Sequence, residues 1–245
     1  MLRKITFIFI SICLLSCSDE SSDCFKKEGD LVTKTIEVEP FWEIHSNLGI
    51  ELTIEQATEQ SVEVTAGKNK LEKINFEVHE GVLKITDNNG CELLRSINSA
   101  KVLVKSPNIK KIYSASQYPT RSNGVLNYSK LTLETGIFQE STPSIFEFEV
   151  ENDTLILQDN VSTQFHIKGK TNFLESNFWS GSGRLEAENL EAQEIKIFQR
   201  SSNDMIVFPI QKISGKILGT GNLLLKNVPS TIEIEQFYTG HIVYP

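Results

Sequence analysis

The sequence predicts an all-β protein and, more specifically, a β-solenoid. Three observations predict this fold: apolar and polar residues alternate, a unit of about 20 residues repeats in the second half, and small-residue turns recur in that unit. No segment shows the helical period of apolar residues over three turns. A β-sandwich would also have short strands, but its turns need not recur in register. The recurrence therefore favours coils stacked on one another.

The alternation begins near Thr33 and predicts half-buried strands, because successive side chains of a strand point to opposite faces. It is clearest in TIEVE (35–39), IELTIE (50–55), SVEVTA (61–66), NFEVHE (75–80), VLKITD (82–87) and KVLVKS (101–106). Turn-forming residues separate these segments, as in AGKNK (66–70) and DNNG (87–90). The LEKI segment (71–74) is the best candidate for a single helical turn.

In the repeat of the second half, an apolar strand start is followed about nine residues later by a turn. The starts are Leu131, Leu155, Leu174, Ile195, Ile213 and Ile232. Such a unit is too small to bury its own apolar face, so we expect the units to stack. The glycines of the turns are expected to take positive φ or to let neighbouring coils approach closely, although hairpin glycines would look the same. They are Gly181, Gly183, Gly219, Gly221 and Gly240.

The first residues predict export and a lipid anchor. Arg3 and Lys4 precede an apolar run that is too short to span a bilayer and has the length of a signal-peptide core. The run ends in LLSC, the pattern of a bacterial lipoprotein signal, in which the cysteine is acylated and the chain is cut before it. We therefore predict a signal peptide over residues 1–16, an acylated polar tether over 17–23 with the lipid on Cys17, and one domain over 24–245. An ordinary secretory peptide with an incidental cysteine is the alternative.

The residue after the predicted lipidated cysteine indicates to which membrane the protein is sorted. Ser18, rather than an aspartate, is compatible with sorting to the outer membrane, where the protein would face the periplasm or the cell surface. The membrane contact would then be made by the lipid alone.

Charge excludes one class of partner. The whole chain has a net charge of −8 at pH 7, and loss of the two positive charges in residues 1–16 makes it −10. Nucleic-acid binding needs a basic surface, so we predict no nucleic-acid partner.

Two cysteines remain in the predicted domain, Cys24 and Cys91. In the oxidising compartment that export implies, they form a disulfide, stay as two free thiols or pair between molecules. Neither belongs to a CxxC motif or a Cys/His cluster, so a structural zinc site is not expected.

Three features together resemble a known family of exported bacterial lipoproteins. They are CFKKEGD (24–30) after the tether, NNGCELLRS (88–96), and the glycine-bearing turns that end in GTGNLLLKNVPSTIEIEQFYTGHIVY (219–244). Over about residues 24–245 the chain is similar to the putative auto-transporter adhesin head domain, or GIN domain. The resemblance implies a right-handed parallel β-helix with a more sheet-like N-terminal part, and it implies a Cys24–Cys91 disulfide. It carries no catalytic residues.

The chain shows no recognisable catalytic or metal-binding motif. The histidines are scattered: His45, His79, His166 and His241. None belongs to an HExxH motif or stands beside a GxSxG nucleophile. The GSG turn (181–183) lacks the lysine and the helix of a phosphate loop. We predict no metal and no cofactor.

A carbohydrate-active enzyme, either a polysaccharide lyase or a glycosidase, is the alternative function, because parallel β-helices host both. A glycosidase needs two carboxyl groups at a set separation. The candidates are Asp153, Asp159, Glu175 and Glu186. Nothing in the sequence singles out two of them, and solvated acids on outward strand positions are the simpler interpretation.

Aromatic residues recur beside the turns. Phe178 and Trp179 precede the GSG turn, and Phe198 lies near the same row. Phe237 and Tyr238 occupy nearly the same place in a later unit. If these side chains point outward, they form a surface for stacking on sugar rings or for anchoring a protein; if they point inward, they fill the core.

One short motif suggests a modification. The DTL segment (153–155) resembles an acceptor for bacterial O-glycosylation, with Thr154 as the modified residue.

The combined prediction is a lipid-anchored, non-enzymatic protein of the cell envelope whose solenoid presents its side to a glycan or a protein partner, with adhesion as a role that fits. A purely structural envelope component is a further alternative.

Overall fold

A computed structural model describes residues 28–89, 99–136 and 142–245. These ranges contain seventeen strands and one short helix, α1 (Lys68–Leu71). The strands are β1 (Leu31–Ile36), β2 (Glu43–Ser46), β3 (Ile50–Gln56), β4 (Ser61–Gly67), β5 (Ile74–His79), β6 (Val82–Asp87), β7 (Ala100–Ser106), β8 (Lys111–Ser114), β9 (Thr120–Leu126), β10 (Lys130–Thr135), β11 (Ile145–Asp159), β12 (Gln164–Phe178), β13 (Arg184–Gln199), β14 (Met205–Ile217), β15 (Leu223–Leu225), β16 (Thr231–Gln236) and β17 (Ile242–Val243). No helix in the described part of the chain is long and apolar enough to cross a membrane.

Parallel stacking divides the coils into two faces. Each of the strands β11 to β14 contributes to both: the first half of β11 pairs with β9 and its second half with β10. Face A is the row β6, β2, β8, β10, the second halves of β11 to β14, and β16. Face B is the row β7, β3, β9, the first halves of β11 to β14, β15 and β17. Neighbours within each row are parallel, so the predicted β-solenoid is confirmed, with about six turns.

The apolar strand starts of the sequence repeat lie directly over one another. Each is the strand partner of the next in a single column along face A: Leu131, Leu155, Leu174, Ile195, Ile213 and Ile232. The first five are at most 1% exposed. Full burial of such a side chain is worth about 1.5–3 kcal/mol, and here the coils above and below supply much of the cover. The column explains why one coil cannot fold without its neighbours.

A second column runs along face B and contains large aromatic rings. Phe146 and Phe165 are strand partners, and their rings stack with centroids 5.1 Å apart and planes 7° from parallel. The ring of Phe178 enters this core from the end of β12, 5.5 Å from the Phe165 ring. The inward rings fill the space between the two faces in the coils formed by β11 and β12.

The N-terminal part is more sheet-like, as predicted. Antiparallel pairs join β1 to β4, β4 to β7 and β5 to β6, whereas the pairs that follow in the stack are parallel. The helical turn α1 begins three residues before the predicted LEKI segment. It starts where β4 ends and buries Lys70, whose ammonium lies 3.3 Å from the Asp87 carboxylate. That ion pair accounts for the earlier start, because Lys70 must turn inward to reach its partner.

The turn glycines allow successive coils to approach. Gly181 has a positive φ of 81°, and a Cβ there would lie 1.4 Å from the Val161 carbonyl oxygen. Gly221 has an ordinary φ, but a Cβ would lie 1.8 Å from the carbonyl oxygen of Asn203. Close approach also holds at Gly183, Gly219 and Gly240, whereas Gly181 is the one member of these five glycines with a positive φ.

Candidate functional site

The turns that lead from face A to face B are stacked into one edge of the solenoid. We call this the turn edge; it comprises residues 160–163, 179–183, 200–204, 218–222 and 237–241. The backbone N–H groups of Trp179, Arg200, Leu218 and Phe237, the first residues of the last four turns, donate to the coil before them, as from Trp179 to Asp159 (2.8 Å) and from Phe237 to Ile217 (2.9 Å). Equivalent turn positions therefore lie in rows along the solenoid axis.

Polar side chains hold these turns together. Ser182 and Ser162 share a hydrogen bond of 2.8 Å between their hydroxyl oxygens, and the hydroxyl of Ser180 donates to the side-chain oxygen of Asn160. The buried hydroxyl of Ser201 donates to the Gly183 carbonyl (2.7 Å). Because each bond joins two coils, the turn edge is a fixed platform for the side chains that it carries.

The predicted aromatic row divides into outward and inward members. Trp179, Phe237 and Tyr238 are 41%, 58% and 64% exposed. Phe178 is completely buried, so its assignment as a ligand-stacking residue is wrong. The physical reason is the strand alternation: Phe178 is the last residue of β12 and takes its inward position, whereas Trp179 begins the turn.

The outward aromatics form a continuous surface with two basic side chains. The rings of Trp179 and Phe198 are 4.7 Å apart, and the Lys216 ammonium lies 5.5 Å from the centre of the Phe237 ring. Phe198 and Lys216 are strand partners, so the two pairs are neighbours. We call this surface the aromatic strip; it comprises Trp179, Phe198, Arg200, Lys216, Leu218, Phe237 and Tyr238.

The chemistry of the strip suits a polyhydroxylated ligand. Exposed aromatic faces pack against the apolar C–H faces of sugar rings, and basic side chains donate hydrogen bonds to hydroxyl or acidic groups at their edges. The sequence predicted Trp179, Phe237 and Tyr238 and placed Phe198 near them. It missed Arg200 and Lys216, whose equivalent positions in successive repeats were the available signal.

A buried carboxylate lies beneath the turn edge. Asp159 is fully buried, and its Oδ1 accepts hydrogen bonds from the backbone N–H groups of Val161 (3.3 Å) and Thr163 (3.4 Å). Burial raises the pKa of Asp159 to about 6, against the opposite effect of these hydrogen bonds. The role of Asp159 visible here is to order the turn that follows β11.

The four candidate catalytic carboxylates lie in different places. Asp153 is exposed between the two halves of β11, and Asp159 is inside the turn. Glu175 faces outward on face A, 3.4 Å from Lys196. Glu186 faces outward on face B, 2.7 Å from Arg184. The arrangement does not bring any two of them together as an acid and its partner.

A groove of about 510 Å³ on face B contains a ladder of charges. Arg121, Glu147, His166 and Glu186 are successive strand partners across four coils. Arg121 contacts Glu147 at 3.2 Å, and His166 contacts Glu186 at 2.9 Å. The hydrogen bond from Arg184 and, secondarily, the charge of His166 lower the pKa of Glu186. Since these charges are already paired, the ladder mainly joins coils.

The remaining histidines lie apart from one another. His45 is half-buried against the Tyr113 ring at 5.4 Å, and burial, followed by the charge of Lys111, lowers its pKa. His79 is exposed in β5, and His241 is exposed in the last turn. Within residues 28–89, 99–136 and 142–245, no group of three His, Cys, Asp or Glu side chains is placed to hold a metal ion.

Several predictions concern residues outside the described ranges or properties that the structure does not test. The signal peptide (1–16), the tether with Cys17, and Cys24 and Cys91 lie outside the described residues. Thr154 lies in β11, half-buried, with Lys130 and Phe173 as its strand partners. Its glycosylation stays a prediction.

Residues 40–229 match the family described as "Putative auto-transporter adhesin, head GIN domain". The chain belongs to this family. The match begins before β2 and ends after β15, so it covers strands of both faces and most of the turn edge. No curated protein matches the sequence.

Solved structures show the same fold. A putative adhesin from Bacteroides fragilis NCTC 9343 aligns with a TM-score of 0.79 at 16% identity, over 90% of this chain and 100% of that one. A putative lipid binding protein from Parabacteroides distasonis ATCC 8503 gives a TM-score of 0.66 at 19% identity, over 90% and 100%. A putative adhesin from Parabacteroides merdae ATCC 43184 gives 0.59 at 16%, over 89% and 98%. The fold is thus shared by proteins whose sequences are 16–19% identical to this one.

Proposed function

We propose that this GIN-domain protein is a lipid-anchored, non-enzymatic adhesin of the cell envelope that binds a glycan through the aromatic strip. The observation that carries the proposal is the exposure of Trp179, Phe237 and Tyr238 on a rigid edge of stacked turns. Large exposed aromatic groups on a solenoid edge are costly in water and are typical of binding surfaces.

The non-enzymatic role is supported by the separation of Asp153, Asp159, Glu175 and Glu186 over different parts of the coils. Hydrolysis by two carboxyl groups requires them to face one another across a substrate at under 10 Å or so. Adhesion requires only an exposed surface and a tether. The tether is the predicted acylated segment 17–23, which precedes the domain.

Binding of the mature chain, residues 17–245, to an array of bacterial and host glycans tests the proposal. The variant Trp179→Ala/Phe237→Ala should lose at least about tenfold in affinity, because aromatic contacts at the centre of a binding site often contribute 2 kcal/mol or more each. Tyr244→Ala is the matched control, since Tyr244 is 54% exposed and lies outside the strip.

Equal binding by the strip variant and the Tyr244→Ala variant would reject the strip as the binding surface. If the chain binds an envelope protein and no glycan, and the binding depends on Trp179, the partner of the strip is a protein rather than a glycan. Protease treatment of intact cells supplies the second half of the test, because an adhesin must be cleaved under conditions that leave periplasmic proteins intact.

A further inference from the structure

The edge opposite the turn edge carries a second, chemically different groove. We call it the bend edge; it comprises the segments that lead from face B to face A, residues 107–110, 127–129, 151–153, 170–172 and 191–193. Two depressions of about 440 Å³ and 400 Å³ lie along it. Both are lined by Ser129, so the two depressions adjoin along this edge, and together we call them the groove of the bend edge.

One end of this groove is basic. It is lined by Lys110, Lys111 and Lys130, with Glu43 as the one carboxylate among its described lining residues. Lys111 contacts Glu43 at 3.0 Å, and within the described ranges no carboxylate lies in ion-pair contact with Lys110 or Lys130. In a chain with a net charge of −8, three lysines against one glutamate are a marked local excess of positive charge.

The lysine at the outer end of the cluster is held in position. The Lys110 backbone N–H donates to the Trp42 carbonyl (2.8 Å), and its ammonium lies 5.5 Å from the centre of the Trp42 ring. Trp42 in turn packs on Gly81, where a Cβ would lie 2.3 Å from the ring. The indole therefore orients Lys110, which reduces the side-chain entropy that a ligand must overcome.

Lys111 and Glu43 act in opposite directions on two part-buried groups beside the groove. Burial lowers the pKa of His45, as does the charge of Lys111, whereas the charge of Glu43 raises it. Burial raises the pKa of Glu134, as does the charge of Glu43, whereas Lys111 lowers it. The basic character of the depression therefore depends on Lys110 and Lys130.

The second depression carries carboxylate groups as well as hydroxyl and amide groups. Glu151, Asp153 and Glu191 line it together with Lys170, whose ammonium lies 3.5 Å from the Glu191 carboxylate. Ser129 donates to Asp153 (2.8 Å), and the amide of Asn172 donates to the same carboxylate (3.1 Å), which links three coils. Asn152 also lines this end, but both of its amide atoms are buried, so they present no group to a ligand in the groove.

We infer that the basic depression of the bend edge binds an acidic polysaccharide, with its carboxylate or sulfate groups on Lys110, Lys111 and Lys130. Neighbouring strands are about 4.8 Å apart, so the lysines of β8 and β10 present cations over a length comparable to one sugar unit. At physiological ionic strength charges beyond about 8 Å are screened. The local lysines then decide binding rather than the net charge of the chain. This site goes beyond the proposed function, because it lies on the opposite edge and requires an acidic ligand.

Binding of the mature chain, residues 17–245, to dextran sulfate and to alginate, with neutral dextran as the reference, tests the inference. The acidic polymers should bind and dextran should not, and the affinity should fall as salt is added. Lys110→Gln/Lys130→Gln should raise the apparent Kd for both polymers about fivefold or more, on the scale of two partly exposed charge contacts.

The matched control is Lys101→Gln/Lys226→Gln, which removes the same charge from two exposed lysines outside the groove. An equal loss in this control, or equal binding of dextran, would overturn the inference. Binding to vesicles that contain phosphatidylglycerol, with none to either acidic polymer, would overturn it in favour of lipid phosphates. The Trp179→Ala/Phe237→Ala variant should bind both polymers normally, so failure of the strip proposal and failure of this one are distinguishable.

Discussion

The carboxylate of Asp159 occupies the space that a side chain at Gly183 would need. A Cβ on Gly183 would lie 2.0 Å from the Oδ2 atom of Asp159 in the preceding coil. The aspartate is fully buried and the glycine belongs to the next turn, so the two residues set the distance between coils at the centre of the turn edge. Their contact can be tested directly.

The substitution Gly183→Ala should destabilise the fold by about 1–3 kcal/mol, as expected for overpacking of a close contact. Urea unfolding followed by circular dichroism measures the loss. In an Asp159→Ala background the same substitution should cost much less, because the clashing oxygen is gone. Equal costs in the two backgrounds would show that Asp159 is not the obstacle.

The raised pKa of Asp159 predicts an unusual pH dependence. Its pKa is about 6 in the fold and 3.8 in an unfolded chain, so between these values the folded state binds the extra proton. The contribution of Asp159 to stability is therefore present at low pH and lost as the pH rises toward and through 6, by up to about 3 kcal/mol.

The measurement is the difference in unfolding free energy between the native chain and Asp159→Asn at several pH values from 4 to 7. This difference should decrease steadily with pH, because the asparagine does not titrate. A difference that is constant over this range would contradict the raised pKa. Other carboxylates titrate in both proteins and cancel in the comparison.

The buried ion pair between Lys70 and Asp87 should be sensitive to removal of either partner. Both side chains are only 5% exposed, and Lys70→Met alone leaves a buried carboxylate whose partner is lost. The expected loss is about 3–5 kcal/mol. In Lys70→Met/Asp87→Leu most of that loss should be recovered, and thermal unfolding of the four proteins in this cycle measures it. A double variant that is less stable than both single variants would reject this interpretation.

The lipid anchor can be tested at one residue. Cys17→Ala should prevent acylation, so the protein should leave the membrane fraction of the cells, or its precursor should accumulate with residues 1–16 attached. Mass spectrometry of the native N-terminal peptide should show a diacylglyceryl group on Cys17. An unmodified Cys17 in a membrane-associated protein would contradict the anchor.

The sequence predicted the solenoid and the column of strand starts because each of these depends on a local repeat. It could not decide between inward and outward positions at Phe178 and Trp179, because the alternation ends at the strand boundary between them. The charge ladder of face B could not be predicted for another reason. The strand register shifts between His166 and Lys168, so residues at equal sequence spacing in neighbouring coils are not always strand partners. The Cys24–Cys91 disulfide and glycosylation of Thr154 stay predictions.

The bend edge was harder still to foresee. One of its lysines, Lys110, lies in the connection 107–110, and the other two, Lys111 and Lys130, are the first residues of β8 and β10. Only the folded coil brings Lys110 and Lys130 into one groove.

The parallel stacking of the coils also determines how the protein would respond to tension. With an anchor before the domain and a ligand on the last coils, force acts along the stack and across its interstrand hydrogen bonds. The final coil is held least strongly, by six paired residues between β14 and β16 and two between β15 and β17, against eleven between β13 and β14. It should peel first, and each released coil of about 20 residues would lengthen the chain by roughly 70 Å. A cell attached through this domain would thus be held by a connection that lengthens under force rather than by one of fixed length.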